Sequence, residues 1–389
     1  MLSTINFRFF EPFEEKLFKG CLAKMPHPGN VIVQPLWRIG FSGAKVFMFF
    51  PSGENSRPYV GKIHTKTGIG REKEGLRHAF NFFDDAGQQY FEFIDGKRGI
   101  IAIPLIAQIG NKQRVVELHD MLFATKRNWR SGMNGNEWFV HPIESVLAVL
   151  DEVYEQKCEK AFANKRQKKC CLGVEYKWYL RGSETDVLLK SWLGGQANRR
   201  KVEAYGKDRP NPLKFITALK RAERDLLVSP VHGDLHPSNI VLDAKKSPHL
   251  LDFTWCRKSG HILKDFLVME CSIRFLMMPP HLSVQALFEL DQCLLTPRDD
   301  EAERLVKKLQ KLHVDSPTIL HIERCVRIIS KLRHHARKIS ASDFSNDDYL
   351  ATQALVLYGL MRIDRYPFEK CARSLGIICE HLEQHGFDY

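Results

Sequence analysis

Short β-branched and aromatic runs dominate the first hundred residues. VIVQPLWRI (31–39), AKVFMFF (44–50), PYVGKIH (58–64) and GIIAIPLI (99–106) are separated by Gly, Pro, Ser and Asn, the pattern of strands joined by turns. Between the third and fourth runs, REKEGLRHAFNFFDDA (71–86) places apolar residues at helical spacing. The predicted order is strand, strand, strand, helix, then a strand or strand pair. After about residue 110 the period becomes 3.6. Segments 144–163, 211–227, 282–295, 300–312, 318–338, 348–363 and 368–385 read as amphipathic helices, punctuated by Pro and by Ser or Asp. Only the stretch around 239–254 reads as extended again. There is no internal repeat or low-complexity tract. The pattern predicts an α+β, bilobal chain: a small β-rich N-lobe with one helix over 1–108, and a large, mainly helical C-lobe over 109–389.

Composition narrows the class. With 389 residues, 44% hydrophobic and 27% charged, the chain can bury a sizeable core and is neither disordered nor fibrous. No apolar run reaches the roughly 18 residues of a membrane helix. The longest candidate, GIIAIPLIAQIG (99–110), reads as buried strand. The N-terminal MLSTINFRFFEPFEEK carries acids and lacks a secretory apolar core. These features predict a cytoplasmic protein with no transmembrane segment. Its ten cysteines form no CxxC array, and the spacing of Cys371, Cys379 and His381 fits no common zinc pattern. Reduced thiols are the expectation.

The net charge of +12 is concentrated in KRQKK (165–169), RRK (199–201) and KLRHHARK (331–338). Each cluster reads either as a solvated face or loop, or as part of a surface for an anionic partner such as a nucleotide or phospholipid headgroup. No recognition helix, zinc finger or RNP-like aromatic motif accompanies them, which sets nucleotide ahead of nucleic acid.

Four signals carry chemistry. In RIGFSGAKVF (38–47), Gly40 and Gly43 bracket Phe41–Ser42 between two strands, where glycine lets backbone N–H groups approach phosphate oxygens; a plain hairpin turn has the same pattern. Lys62, in YVGKIH, stands among apolar strand residues, so it either has an anionic partner or lies solvated on an edge strand. Glu72 and Glu74 open the next helix, where acidic residues are favoured in any case. Finally, VHGDLHPSNIVLD (231–243) holds Asp234 and Asn239 five apart, and Asp252 in LLDFTW follows thirteen residues later. Phosphoryl transfer needs a carboxylate near the attacking hydroxyl and oxygen ligands, typically Asp and Asn, for magnesium on the nucleotide phosphates. A turn stabilised by Asp or Asn explains Asp234 or Asn239 singly, but not both together with Asp252.

HGDLHPSN followed by LLDFTW resembles the signature of the aminoglycoside phosphotransferase and choline-kinase group of the protein-kinase-like fold. With the HILKDF…E…SIRF tail, 231–275 is also similar to the ternary-complex-associated kinase-like domains of bacteria. The resemblance implies a kinase-like fold and an ATP- and magnesium-dependent transfer of the γ-phosphoryl group to a hydroxyl-bearing acceptor. It makes Asp234 the catalytic base, Asn239 a magnesium ligand, Asp252 the metal-binding aspartate, and His232 and His236 supports of the catalytic loop 232–239. Gly40, Ser42 and Gly43 become the phosphate-covering loop and Lys62 the phosphate-contacting lysine. Glu72 rather than Glu74 becomes its helix partner, through the I-x-x-E of Ile69–Glu72. Asp265 becomes the aspartate beneath the loop, and Pro104–Gly110 the adenine connector. Three departures stand out: two loop glycines rather than three, Phe253-Thr254-Trp255 after the metal aspartate, and a long 110–205 region. A catalytically inactive nucleotide-binding scaffold on the same fold is the alternative. The basic balance favours a neutral or anionic acceptor.

Overall fold

The computed structural model describes residues 9–26, 28–36, 43–52, 57–86, 89–105, 116–122, 142–204, 206–279, 281–296 and 301–387. In chain order, the first part contains α1 (Pro12–Leu22), β1 (Val31–Pro35), β2 (Lys45–Pro51), β3 (Tyr59–Thr65), α2 (Lys66–Ala79), β4 (Phe91–Asp95), β5 (Arg98–Pro104) and β6 (Val116–Glu117). Next come α3 (Leu118–Leu122), α4 (Ile143–Glu152), α5 (Glu159–Ala163), β7 (Arg166–Cys171), α6 (Leu172–Glu175), α7 (Glu184–Leu193), β8 (Lys201–Ala204) and β9 (Lys207–Pro210). Then follow α8 (Pro212–Arg221), β10 (Glu223–Val231), β11 (Ile240–Leu242), β12 (Pro248–Leu250), β13 (Arg257–His261) and α9 (Lys264–Ser272). The chain ends with α10 (Val284–Cys293), α11 (Glu301–Lys311), α12 (Ser316–Ser340), α13 (Asn346–Leu360) and α14 (Phe368–Gln384). The α+β class is as predicted, with an antiparallel sheet first and helices dominating later. The described helices include none long and apolar enough to cross a membrane.

Two compact units divide the chain: Met1–Asn164 with Pro230–Ser259, and Lys165–Ser229 with Gly260–Tyr389. The first unit is built on a five-stranded antiparallel sheet in the order β1-β2-β3-β5-β4. Strand periodicity assigns its two faces. Phe47 and Phe49 of β2 join Leu17, Phe18 and Cys21 of α1 in one cluster, while Met48 and Phe50 join Val60, Val241 and Leu251 in another. The helix α1 was not predicted. It begins at a proline after a Glu11–Glu14 capping box, and Phe18 meets Phe47 edge-on at 5.3 Å. On the opposite face, Lys62 is in register with Val46 on β2 and Ile101 on β5. It therefore lies on a central strand, which removes the reading of a solvated edge lysine.

In the second unit the helical segments from 282 to 385 appear within a few residues of their predicted bounds. Three predictions fail. The helix predicted over 211–227 ends at Arg221, where Ala222 turns to extended backbone, and Glu223–Val231 forms β10. The buried run Leu226-Leu227-Val228 suits either element by pattern alone, and pairing with β7 decides for strand. The basic run 165–169, which reads as a solvated face or loop, is not a loop but largely that partner: β7 is an edge strand whose exposed Arg and Lys discourage further pairing. The cluster at 331–338 is also only partly a surface, because Arg333 and His335 are buried inside α12.

Arg333 explains that burial. Its Nε and Nη2 donate to the Glu270 carboxylate at 2.8 and 2.5 Å, and Nη1 donates to the Leu294 carbonyl at 2.6 Å. Tyr349 and Gln353 also donate to Glu270, at 2.7 and 2.6 Å. Burial works against the Glu270 charge, but the Arg333 guanidinium outweighs it and holds the carboxyl below its ordinary range. Replacing Arg333 by Ala should cost about 3–5 kcal/mol in urea unfolding, because Glu270 is left charged and uncompensated. The double replacement Arg333→Met with Glu270→Leu should recover most of that loss, and a single-variant cost below about 1 kcal/mol would contradict a buried, compensated pair.

Candidate active site

The first unit brings three distant segments together at one point. Thr65 caps α2 by accepting from the Gly68 amide at 3.1 Å, so the helix starts directly from β3. Its buried face carries Ile69, Glu72, Gly75, Leu76 and Ala79, and Glu72 is the charged member. The third segment comes from the β11–β12 hairpin. Beyond β12, Asp252 takes left-handed backbone at φ 59°, ψ 71° and begins the short turn Phe253–Trp255. This turn presses closely on its neighbours. A Cβ on Gly75 would lie 1.9 Å from the Phe253 carbonyl oxygen, and one on Gly233, itself at φ +85°, would lie 2.3 Å from that of Trp255.

Lys62 is the centre of the cluster. Its Nζ donates to Glu72 Oε2 at 2.5 Å, to Asp252 Oδ1 at 2.8 Å and to Thr254 Oγ1 at 2.8 Å. Those contacts engage all three ammonium donors. The Thr254 hydroxyl in turn contacts Glu72 and lies 2.6 Å from Asp252 Oδ1. Burial works against the charge on Lys62, but Asp252 and Glu72 outweigh it and raise its pKa. Asp252 also meets a burial cost and is nevertheless held well below the carboxylate range by Lys62. Glu72 goes the other way: its complete burial raises it, and the Asp252 charge adds to the shift despite Lys62. Two carboxylates share one ammonium, and Glu72 is the one that protonates more readily.

Beside this cluster, His232 is fully buried, with Nε2 2.8 Å from the Leu251 carbonyl and its ring 4.9 Å from that of Phe253. Asn239 Nδ2 donates to the Asp234 carbonyl at 2.8 Å, and the Asn239 carbonyl accepts from the Leu251 amide at 2.8 Å. The two halves of the motif are thus tied backbone to backbone. Asp234 is partly exposed, with Oδ2 3.9 Å from His236 Nε2. Among the sequence-selected residues, Glu72 meets Lys62 whereas Glu74 is exposed. Gly43 has φ +70° in the β1–β2 connection. Gly40 and Ser42 lie outside the described residues, as does most of the connector 104–110. Asp265 belongs to the second unit, buried on α9.

Residue-by-residue reading missed Thr254, although Phe253-Thr254-Trp255 was noted as a departure from the family pattern. It also missed a network that fixes the hairpin. Asp85 Oδ1 lies 2.9 Å from His249 Nδ1 and Asp85 Oδ2 accepts from the Leu250 amide at 3.1 Å, while Asp243 Oδ1 accepts from the amides of Lys245 and Ser247. No local spacing links Asp85 to His249. The donor set of Asn239 and Asp252 suits a hard divalent cation: one carboxylate kept ionised, and one amide whose nitrogen is committed elsewhere.

A family model described as "Ternary complex associated domain 9" matches residues 155–361, more than half of the chain. That span includes Asp234, Asn239 and Asp252 and starts after Lys62. No curated protein matches the chain in sequence. Among solved structures, the choline kinase LicA from Streptococcus pneumoniae is 12% identical, covering 93% of this chain and 99% of its own, with a TM-score of 0.36. Amicoumacin kinase hAmiN, in complex with AMP-PNP, Ca2+ and Ami, is 13% identical over 97% and 94%, with a TM-score of 0.40. Macrolide 2'-phosphotransferase type I is 15% identical over 88% and 95%, with a TM-score of 0.34.

The cluster has a definite pH signature. Asp252, with its pKa depressed, stabilises the fold above its unfolded value of about 3.9, and that contribution is lost as pH falls through the lower folded value. Replacing Lys62 by Met strands the buried Glu72 and the partly buried Asp252 carboxylates, raises both pKa values and should cost about 3–5 kcal/mol near neutral pH. Below those raised values the carboxylates bind protons, so the gap between wild type and Lys62→Met should narrow from about pH 8 to about pH 5. Urea unfolding across that range measures it, and a gap independent of pH would exclude the shared-ammonium arrangement.

Proposed function

The chain belongs to the ternary complex associated domain 9 family, and on that premise we propose that it is an ATP- and magnesium-dependent phosphotransferase. The single observation behind this reading is the convergence of Lys62, Glu72 and Asp252 on one buried point beside the loop that carries Asp234 and Asn239. A strand lysine paired to a helix glutamate, with a metal-binding aspartate in place, is what kinase-type phosphoryl transfer requires.

In this reading Asp234 accepts the proton of an acceptor hydroxyl as its oxygen takes the γ-phosphoryl group. Partial exposure leaves that carboxylate reachable. Asn239 and Asp252 would hold magnesium, which neutralises charge on the nucleotide phosphates. His232 holds the strand-end carbonyl of Leu251 and keeps the catalytic loop in shape, and His236 flanks Asp234. Gly40, Ser42 and Gly43 cover the phosphates. Residues 1–108 serve as the nucleotide-phosphate lobe and 109–389 as the helical lobe with the acceptor-binding helices. The acceptor is a hydroxyl of a small molecule, a lipid headgroup or a protein, neutral or anionic given the net charge of +12.

One observation favours the second reading, a nucleotide-binding scaffold without transfer. All three Lys62 donors are taken by protein oxygens, so a phosphate oxygen must displace one of them. Asp252 is the partner that a cation would draw away. Magnesium and ATP together should therefore stabilise the protein, by about 2.7 kcal/mol at a hundredfold excess over Kd, and ATP without magnesium should do much less. Asp234→Ala should retain that stabilisation and lower phosphate transfer about 10²–10⁴-fold in a screen of sugars, amino alcohols, inositol lipids and proteins. Transfer undiminished by Asp234→Ala removes the catalytic assignment. Stabilisation with no transfer to any acceptor leaves the scaffold.

A further inference from the structure

Helices α13 and α14 bring two histidines and an aspartate together in the second unit. Ser345 caps α13 by accepting from the Asp348 amide at 3.2 Å, which sets Asp347 in the first turn. The helices α13 and α14 run antiparallel through a short connection, so that first turn meets the last turn of α14. There His381 lies in the last turn and His385, four residues on, is the capping residue just past Gln384. Their rings lie 4.0 Å apart between centroids. His385 Nδ1 is 3.0 Å from Asp347 Oδ1 and 3.1 Å from Oδ2, and His381 Nε2 is 3.3 Å from Asp347 Oδ1.

The His381 contact is the longer of these and is poorly aligned for a hydrogen bond. His381 is only 7% exposed, and its Nε2 atom is buried, faces the Asp347 oxygen and has no hydrogen-bond partner among the described residues. A buried ring nitrogen in that position is costly unless it carries a proton towards Asp347 or a cation between the groups takes its lone pair. Zinc ligands at about 2.0–2.2 Å in tetrahedral geometry are about 3.3–3.5 Å apart; Asp347 Oδ1 lies 3.3 Å from His381 Nε2, within that range, and 3.0 Å from His385 Nδ1, slightly inside it. The three donor atoms all lie within 4.8 Å of one another. Paired imidazoles at i and i+4 with one carboxylate are a nitrogen-rich donor set suited to zinc and its neighbours rather than to magnesium. The last turn of a helix also favours a cation.

We propose that Asp347, His381 and His385 form a binding site for a divalent transition metal of the zinc class, with the fourth position open to water. Asp347 and His385 are half-exposed, which gives the ion a route in. Bound there, the metal ties the start of α13 to the end of α14. The site is separate from the magnesium ligands proposed above and shares no residue with them. The buried cysteines Cys371 and Cys379 on α14 contribute nothing to it.

The test uses the full-length chain, stripped with a chelator and kept in excess magnesium. Zinc titration against a chromophoric chelator should show one site, weakened at least about 10-fold in His385→Gln and in Asp347→Asn, both at half-exposed positions, with urea unfolding checking that each variant folds. Cobalt in place of zinc should give a visible spectrum of nitrogen and oxygen ligation without thiolate charge transfer. Zinc affinity unchanged in both variants, no zinc binding in the wild type, or a thiolate band from cobalt would each overturn the proposal.

Discussion

A lysine ammonium taken out of water must find compensating charge, and once it has done so the groups that supply it are hard to move. Lys62 is in that position. Its place on a central strand, in register with apolar neighbours on both sides, denies it solvent. Glu72 must then come from α2 and Asp252 from the turn after β12, so one buried cation fixes the helix, the sheet face and the left-handed turn against each other. Gly75 and Gly233 permit the approach, since neither could carry a Cβ beside that turn.

The balance of charge separates this cluster from the buried ion pair of Glu270 and Arg333. Glu270 and Arg333 neutralise one another, and Tyr349 and Gln353 complete the carboxylate's hydrogen bonds. Such a closed network holds helices together and offers nothing to a ligand. Around Lys62 two carboxylates face one ammonium, and the result is a raised pKa on Glu72 alongside a depressed one on Asp252. The excess negative charge suits a site that receives a cation, and perturbed pairs of this kind concentrate at functional positions.

Much of this was legible in the chain. The apolar run at 44–50 marked β2 as a strand, and the helical period from 282 onward located the later helices. Periodicity failed where two elements share one signal. Leu226-Leu227-Val228 suits a helix or a strand, and only the partner strand at 166–171 settles it. Charge misled in the same way at 331–338, because a run of bases reads as surface until Glu270, sixty-three residues away from Arg333, is placed beside it.

By itself, then, the sequence determined which residues carry unusual chemistry: an isolated lysine in an apolar strand, an aspartate and asparagine five apart, and an aspartate after an apolar run. These are local facts, set by side-chain type against the polarity of immediate neighbours. Tertiary structure decided which of them meet. Lys62 and Asp252 are 190 residues apart, Thr254 entered the cluster with no motif to announce it, and Asp347 reached His381 and His385 only because two helices fold back on one another. Partner choice over such distances depends on chain reversal and on burial excluding water, and neither is written in local spacing.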